Sequence, residues 1–112
     1  MAEQHDPIAD LYAIRDGFRR MADECAEAGA IVIAAATDPD SQQTAAMQAQ
    51  SIVERLDARI EDMGIRMDRL KQNPKFREAA VLAEPMLAFT RNESEKLSAT
   101  IAGFLQGQRG AQ

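Results

Sequence analysis

The sequence predicts an all-α protein: a long antiparallel two-helix hairpin of the coiled-coil type, followed by one or two shorter C-terminal helices. Three observations predict it. Apolar residues recur at helical spacing, Pro follows Asp or Asn at three places where a helix can start, and two long apolar stripes are joined by a short segment. The 112 residues fit a single helical domain spanning 1–112.

The first helix is predicted to start near residue 7. Asp6 precedes Pro7, and an Asx side chain can cap a free backbone N–H while Pro suits the first helical position. Apolar residues then recur three and four positions apart, which indicates about four heptads of one helix. This stripe consists of Leu11, Ile14, Phe18, Met21, Cys25, Ala28, Val32 and Ala35.

The second helix is predicted to start near 39, where Asp38 precedes Pro39. A second stripe alternates three and four positions in the same way. It consists of Ala46, Ala49, Val53, Leu56, Ile60, Met63, Met67 and Leu70. Because the connection over 37–40 is short, the two helices must pack antiparallel as a hairpin over 7–72.

Counted outward from the Asp38-Pro39 turn, apolar residues of the first stripe lie opposite apolar residues of the second. The two stripes therefore predict one register for the hairpin. The register also brings Asp10 close to Arg66 and Glu24 close to Arg59, so that opposite charges meet. The predicted hairpin core is Leu11, Ile14, Phe18, Met21, Val53, Leu56, Ile60 and Met63.

The last third of the chain has a less regular pattern. Asn73-Pro74 marks a third helix start, Glu84-Pro85 indicates a break or kink, and the segment 92–95 (Asn-Glu-Ser-Glu) is typical of a helix N-cap. We expect helices over about 75–90 and 93–106, or one kinked helix in their place. The tail 107–112 is expected to be flexible.

Several apolar residues lie outside the two stripes and need a cover. The run 28–36 is apolar on all sides, and a β-strand over 30–34 is the competing interpretation of its branched residues. The cover could be the C-terminal helices, a second copy or a foreign helix. The candidate oligomer or partner surface is Ile31, Ile33, Ile52 and Ile65.

Charge argues against a broad grip on nucleic acid, because 18 acidic residues outnumber 13 basic ones. Direct nucleic-acid binding is expected to be weak or absent. Four arginines do share one side of the second helix, and they form either a phosphate-binding stripe or the partners of the acid-rich first helix. They are Arg55, Arg59, Arg66 and Arg69.

Residues for catalysis or metal binding are scarce. The one His, His5, and the one Cys, Cys25, lie far apart in sequence, and no glycine-rich phosphate loop occurs. We therefore expect no enzyme activity, no cofactor and no metal site. A single thiol favours a reducing, cytoplasmic setting, and no apolar run approaches the roughly 20 residues that span a membrane.

These features predict a non-enzymatic assembly or adaptor subunit that forms homo-oligomers through its hairpin and presents its C-terminal helices to a protein partner. In size and hairpin architecture the chain is similar to the small terminase subunits of tailed phages, which implies a possible role in DNA packaging. The alternatives are a secretion or flagellar export chaperone that holds a client helix, and an acidic regulatory antagonist.

Overall fold

A computed structural model describes residues 6–110 of the chain, with side chains over 6–106, so His5 lies outside the described residues. Three long helices follow one another: α1 (Pro7–Ala36), α2 (Gln42–Lys71) and α3 (Arg77–Gly110). The described residues contain no strand, so the β interpretation of 30–34 is wrong. The predicted fold class, an antiparallel helical hairpin followed by a C-terminal helix, is confirmed.

The start of α1 has the cap that the sequence predicts. The Asp6 carboxylate accepts a hydrogen bond from the backbone N–H of Ile8 at 2.9 Å, and Pro7 occupies the first helical position. At the other end the Thr37 hydroxyl donates to the carbonyl of Ala34 at 3.0 Å. These bonds satisfy backbone groups that the helix itself leaves free at its two ends.

The other two Asx-Pro pairs start turns rather than α-helices. Asp38 accepts a hydrogen bond from the Asp40 N–H, and residues Pro39–Ser41 form a 3₁₀ turn before α2 begins at Gln42. Asn73 likewise accepts from the Lys75 N–H, and α3 begins only at Arg77. The predicted starts near 39 and 74 are therefore slightly early, because each Asx-Pro pair first closes a tight turn.

The C-terminal segment is one helix of 34 residues, against 30 for each hairpin helix. The predicted break at Pro85 does not end the helix, and the segment 92–95 lies within the helix rather than at a helix start. Ser94 is instead buried, and its hydroxyl donates to the carboxylate of Asp57 on α2. Small and apolar residues on both sides of Pro85 pack on the rest of the core. This packing outweighs the loss of the backbone hydrogen bond that proline cannot donate.

The central helix is α2, which packs against both neighbours along its length. An ion pair joins Lys71 to Glu84 near one end, and Ile101 packs in a cluster with Ile52 and Val53 near the other. These contacts show that α3 runs antiparallel to α2, and hence parallel to α1. The result is a long flat bundle with extents of 58 × 28 × 18 Å.

The predicted hairpin core is found in place. Six of its eight members are buried, whereas Leu11 and Phe18 are only partly buried at the edge of the core. The six buried members are Ile14, Met21, Val53, Leu56, Ile60 and Met63. The spacing of the two stripes therefore indicated the correct faces of α1 and α2.

Gly17 lets α1 approach α2 closely in the middle of this core. It is buried, and a Cβ built on it would lie 2.8 Å from the Met63 Cε and closer still to the sulfur. Gly29 on the same helix has no such neighbour within 4 Å. The thioether of Met63 thus occupies the space that a side chain at 17 would need.

Replacing Leu56 by alanine tests the hairpin register. Leu56 is fully buried, so we expect a loss of ~2–5 kcal/mol in the free energy of unfolding. Urea denaturation followed by circular dichroism measures it. Met47→Ala, at a 61% exposed position of α2, is the control and should change stability little. A near-zero loss for Leu56→Ala would contradict the register.

Two glycine substitutions on α1 test the close approach. Gly29→Ala should stabilise the protein by ~0.5–1 kcal/mol, because alanine restricts the unfolded chain and fits the open space. Gly17→Ala has the same propensity gain but displaces Met63, and overpacking costs roughly 1–3 kcal/mol. Urea midpoints should therefore rank Gly29→Ala above Gly17→Ala. Equal gains would show that the Met63 side chain makes room for the added methyl group without cost.

Candidate functional site

An apolar groove runs between α1 and α3 on the side of the bundle away from α2. The two helices contact each other less than either contacts α2, and the space between them measures 640 Å³. Phe18 and Cys25 lie along its α1 side, and Met86 and Phe89 along its α3 side. The groove is open to solvent, so its apolar lining is uncovered.

Small residues of α1 and large residues of α3 give the groove its form. Ala22 and Ala26 leave α1 with a shallow wall. On α3 the side chains of Met86 and Phe89 remain 56% and 65% exposed although they line the groove. Large apolar side chains left at this exposure on one face are typical of a surface that another protein covers.

The apolar surface extends beyond the groove along both helices. Of the nine large apolar side chains exposed in the described residues, six share the helix faces that border the groove. We call this surface the α1/α3 face, and it comprises Ile8, Tyr12, Ala22, Ala26, Ile33, Leu82, Met86 and Phe89. The sequence pattern missed Leu82 and Phe89 in its α3 half, because both residues flank the expected break at Pro85.

The surface predicted from the sequence is dispersed in the structure. Ile52 is buried at 4% exposure and Ile31 is partly buried, because both pack in the cluster to which Ile101 of α3 belongs. Ile33 is 72% exposed and belongs to the α1/α3 face, whereas Ile65 is exposed elsewhere, on α2. Ile31 and Ile52 therefore belong to the internal core rather than to an accessible surface.

Two ionisable groups line the groove. Burial raises the pKa of the Cys25 thiol, and the negative charges of Glu93 and Glu24 raise it further. A thiol held in its neutral form is a poor nucleophile, so this position is not activated for covalent chemistry. Glu93 is bound by Lys96 of its own helix at 3.5 Å.

Three of the four arginines proposed as a phosphate stripe are bound to acidic side chains of α1. Arg59 donates to Glu24 at 2.9 Å, and Arg66 and Arg69 donate to one oxygen of Asp10 at 3.0 and 2.8 Å. Both charge pairs that the register predicted are thereby confirmed. Arg66 also binds Asp62, and Arg55 is exposed.

Asp10 is the most enclosed of these charges, with its side chain 5% exposed. Burial alone raises its pKa, but hydrogen bonds and charge from Arg69 and Arg66 outweigh that effect and hold the pKa below its ordinary value of 3.8. The carboxylate is therefore ionised at neutral pH and ties the start of α1 to the end of α2.

Within residues 6–106, no group of three or more His, Cys, Asp or Glu side chains is placed to hold a metal ion. None of the described helices combines the length and the apolar character needed to cross a membrane. The chain matches no protein-family model, and no curated protein or solved structure is significantly similar to it. By its geometry the part of the chain that the structure describes is a three-helix bundle with an open apolar groove.

The Asp10 cluster gives a pH-dependent prediction. Because its folded pKa is depressed, the stability that Asp10 contributes is complete above the ordinary value of 3.8 and is lost as the pH falls through the folded pKa. Asp10→Asn should therefore lower the free energy of unfolding by about 1–3 kcal/mol at pH 7, with the difference shrinking below about pH 4.

Urea unfolding at a series of pH values measures this difference. Asp16→Asn is the matched control, because Asp16 is 54% exposed and pairs only with its neighbour Arg15. A difference between Asp10→Asn and the parent protein that persists undiminished at pH 2 would contradict the role given to the Asp10 carboxylate.

Proposed function

We propose that the protein is a non-enzymatic helical assembly or adaptor subunit that binds a further helical surface along the α1/α3 face. The observation that supports this proposal is the open groove of 640 Å³ lined by Phe18, Met86 and Phe89. In a four-helix bundle, four helices surround the core and cover it on all sides. Here three helices leave one side open, and an additional helix would complete the bundle.

The chemistry of the groove favours a protein helix as its occupant. Its lining is mainly apolar, and the Glu93 carboxylate within it is paired with Lys96. An amphipathic helix bound in such a groove buries side chains spaced three and four residues apart. The exposed row Leu82, Met86 and Phe89 on α3 has that spacing and offers complementary ridges.

This proposal refines the expectation drawn from the sequence. The C-terminal helix is not a free arm, because α3 packs on α2 and presents only its Met86 and Phe89 side to a partner. The internal pairing of Arg59, Arg66 and Arg69 supports weak or absent direct binding of nucleic acid. In a DNA-packaging assembly such a subunit would act through protein contacts.

An export chaperone would use the same groove for a client helix, so the groove itself does not separate this alternative from an assembly subunit. The unactivated thiol of Cys25 in the groove is compatible with the reducing, cytoplasmic setting that we propose. The common element of both roles is a helix bound between α1 and α3.

Replacing Phe89 by aspartate tests the proposed function. Docking would then bury an unpaired carboxylate, so we expect binding to weaken ~10-fold or more while helicity is kept. Two measurements report binding: absolute mass by light scattering over a concentration series, and anisotropy of a labelled designed peptide. The peptide is an amphipathic helix with Leu three and four residues apart and equal numbers of Lys and Glu.

The matched control is Ile65→Asp, which makes the same chemical change at an exposed residue of α2 outside the α1/α3 face. Protection of Cys25 from maleimide provides a local readout, because this thiol lines the groove and is the only one in the chain. Self-association or peptide binding that Phe89→Asp abolishes and Ile65→Asp retains supports the proposal. Finding neither activity in the parent protein would overturn it.

A further inference from the structure

We infer that the helical surface covering the α1/α3 face is the same face of a second copy, packed antiparallel about a two-fold axis. This inference rests on the proposed function and identifies its partner. It is based on the order of apolar and charged residues along α1. That order is arranged symmetrically about the middle of the face, as a self-complementary interface requires.

On α1 the face is symmetric about a point between Arg20 and Met21. Ile8 and Ile33 lie equally far from that point and are 53% and 72% exposed. An antiparallel partner therefore brings Ile8 of one copy against Ile33 of the other. The face alternates steps of four and three residues, through Ile8, Tyr12, Arg15, Arg19, Ala22, Ala26, Gly29 and Ile33.

The net charge of the exposed residues on and beside this stripe changes sign at the same point. Arg15, Arg19 and Arg20 outnumber Asp16 in the first half, and Asp23 and Glu27 in the second half are both acidic. In the antiparallel arrangement, Arg19 of one copy comes close to Asp23 of the other, and Arg15 comes close to Glu27. Two-fold symmetry makes each contact twice.

The α3 half of the face contributes mainly apolar contacts. Leu82, Met86 and Phe89 are 72%, 56% and 65% exposed, whereas Lys96 already binds Glu93 of its own helix at 3.5 Å. In the antiparallel arrangement this exposed row of each copy meets the apolar surface of the other.

The position of the axis is set by α1, where the order of charges is symmetric. The groove brings Phe18 and Ala22, near the centre of the α1 stripe, alongside Met86 and Phe89 of α3. A two-fold axis through the centre of the α1 stripe therefore places these apolar side chains near the middle of the interface. A second copy has the required order of charges by symmetry, whereas an unrelated helix would have to match it independently.

A charge-reversal experiment tests this arrangement in the full chain. The acidic variant is Arg15→Glu with Arg19→Glu, and the basic variant is Asp23→Arg with Glu27→Arg. Each variant would face like charges in its own dimer, so we expect each to self-associate at least ~10-fold more weakly than the parent protein. When the two variants are mixed in equal amounts, opposite charges meet again and a heterodimer should form.

Sedimentation equilibrium gives the masses and association constants, and circular dichroism checks that each variant is folded. Arg55→Glu, an exposed reversal of charge on α2 and outside the α1/α3 face, is the control and should dimerise like the parent protein. Dimers that weaken in each variant and recover in the mixture support the inference. Because the contacts join residues of different copies, loss of helix stability cannot produce this recovery.

Three results would overturn the inference: a parent protein that stays monomeric throughout the series, a mixture that fails to recover, or a dimer that none of these reversals affects. The proposed function is judged separately, by binding of the designed peptide. Peptide binding that depends on Phe89, in a chain that stays monomeric, would keep the groove as a helix-binding site and reject only the second copy as its occupant.

Discussion

The fold depends on α2 having two apolar sides. Its buried residues include small ones near the Pro39 turn, such as Ala46 and Ala49, and large ones towards the other end, such as Met67 and Leu70. One side receives α1 and the other receives α3. Because every buried cluster in the described residues includes side chains of α2, neither outer helix has a core without it. The open groove follows from the same constraint: α1 and α3 are held by α2 more than by each other.

The apolar stripes alone define the alignment of neighbouring helices only approximately, and polar contacts between the helices set the exact register. The Glu24–Arg59 pair lies near the middle of the hairpin, and the Asp10 cluster lies at its open end. Ser94 and Asp57 make a comparable contact between α2 and α3. Pairs this enclosed are costly to separate, so they discriminate against slipped pairings even where their net contribution to stability is small.

The hairpin could be predicted from the sequence because two kinds of signal agreed: apolar spacing fixed the buried faces, and charge pairs fixed the register. The course of α3 could not, because Pro85 and the segment 92–95 are local signals for ending or starting a helix, and packing on α2 overrides them. The groove was missed for a related reason. Ala22 and Ala26 are small and lie off the main stripe, and only the placement of α3 shows that they form a wall.

The up-down-up order of the helices also bears on how the chain acquires its structure. Each helix packs mainly on its neighbour in sequence, so most contacts join residues that are close along the chain, and such topologies fold fast. During synthesis the α1–α2 hairpin can form first, while the side of α2 that contains Ile52 still lacks Ile101 opposite it. Addition of α3 to the growing chain therefore conceals the apolar side of α2 that the nascent hairpin leaves exposed.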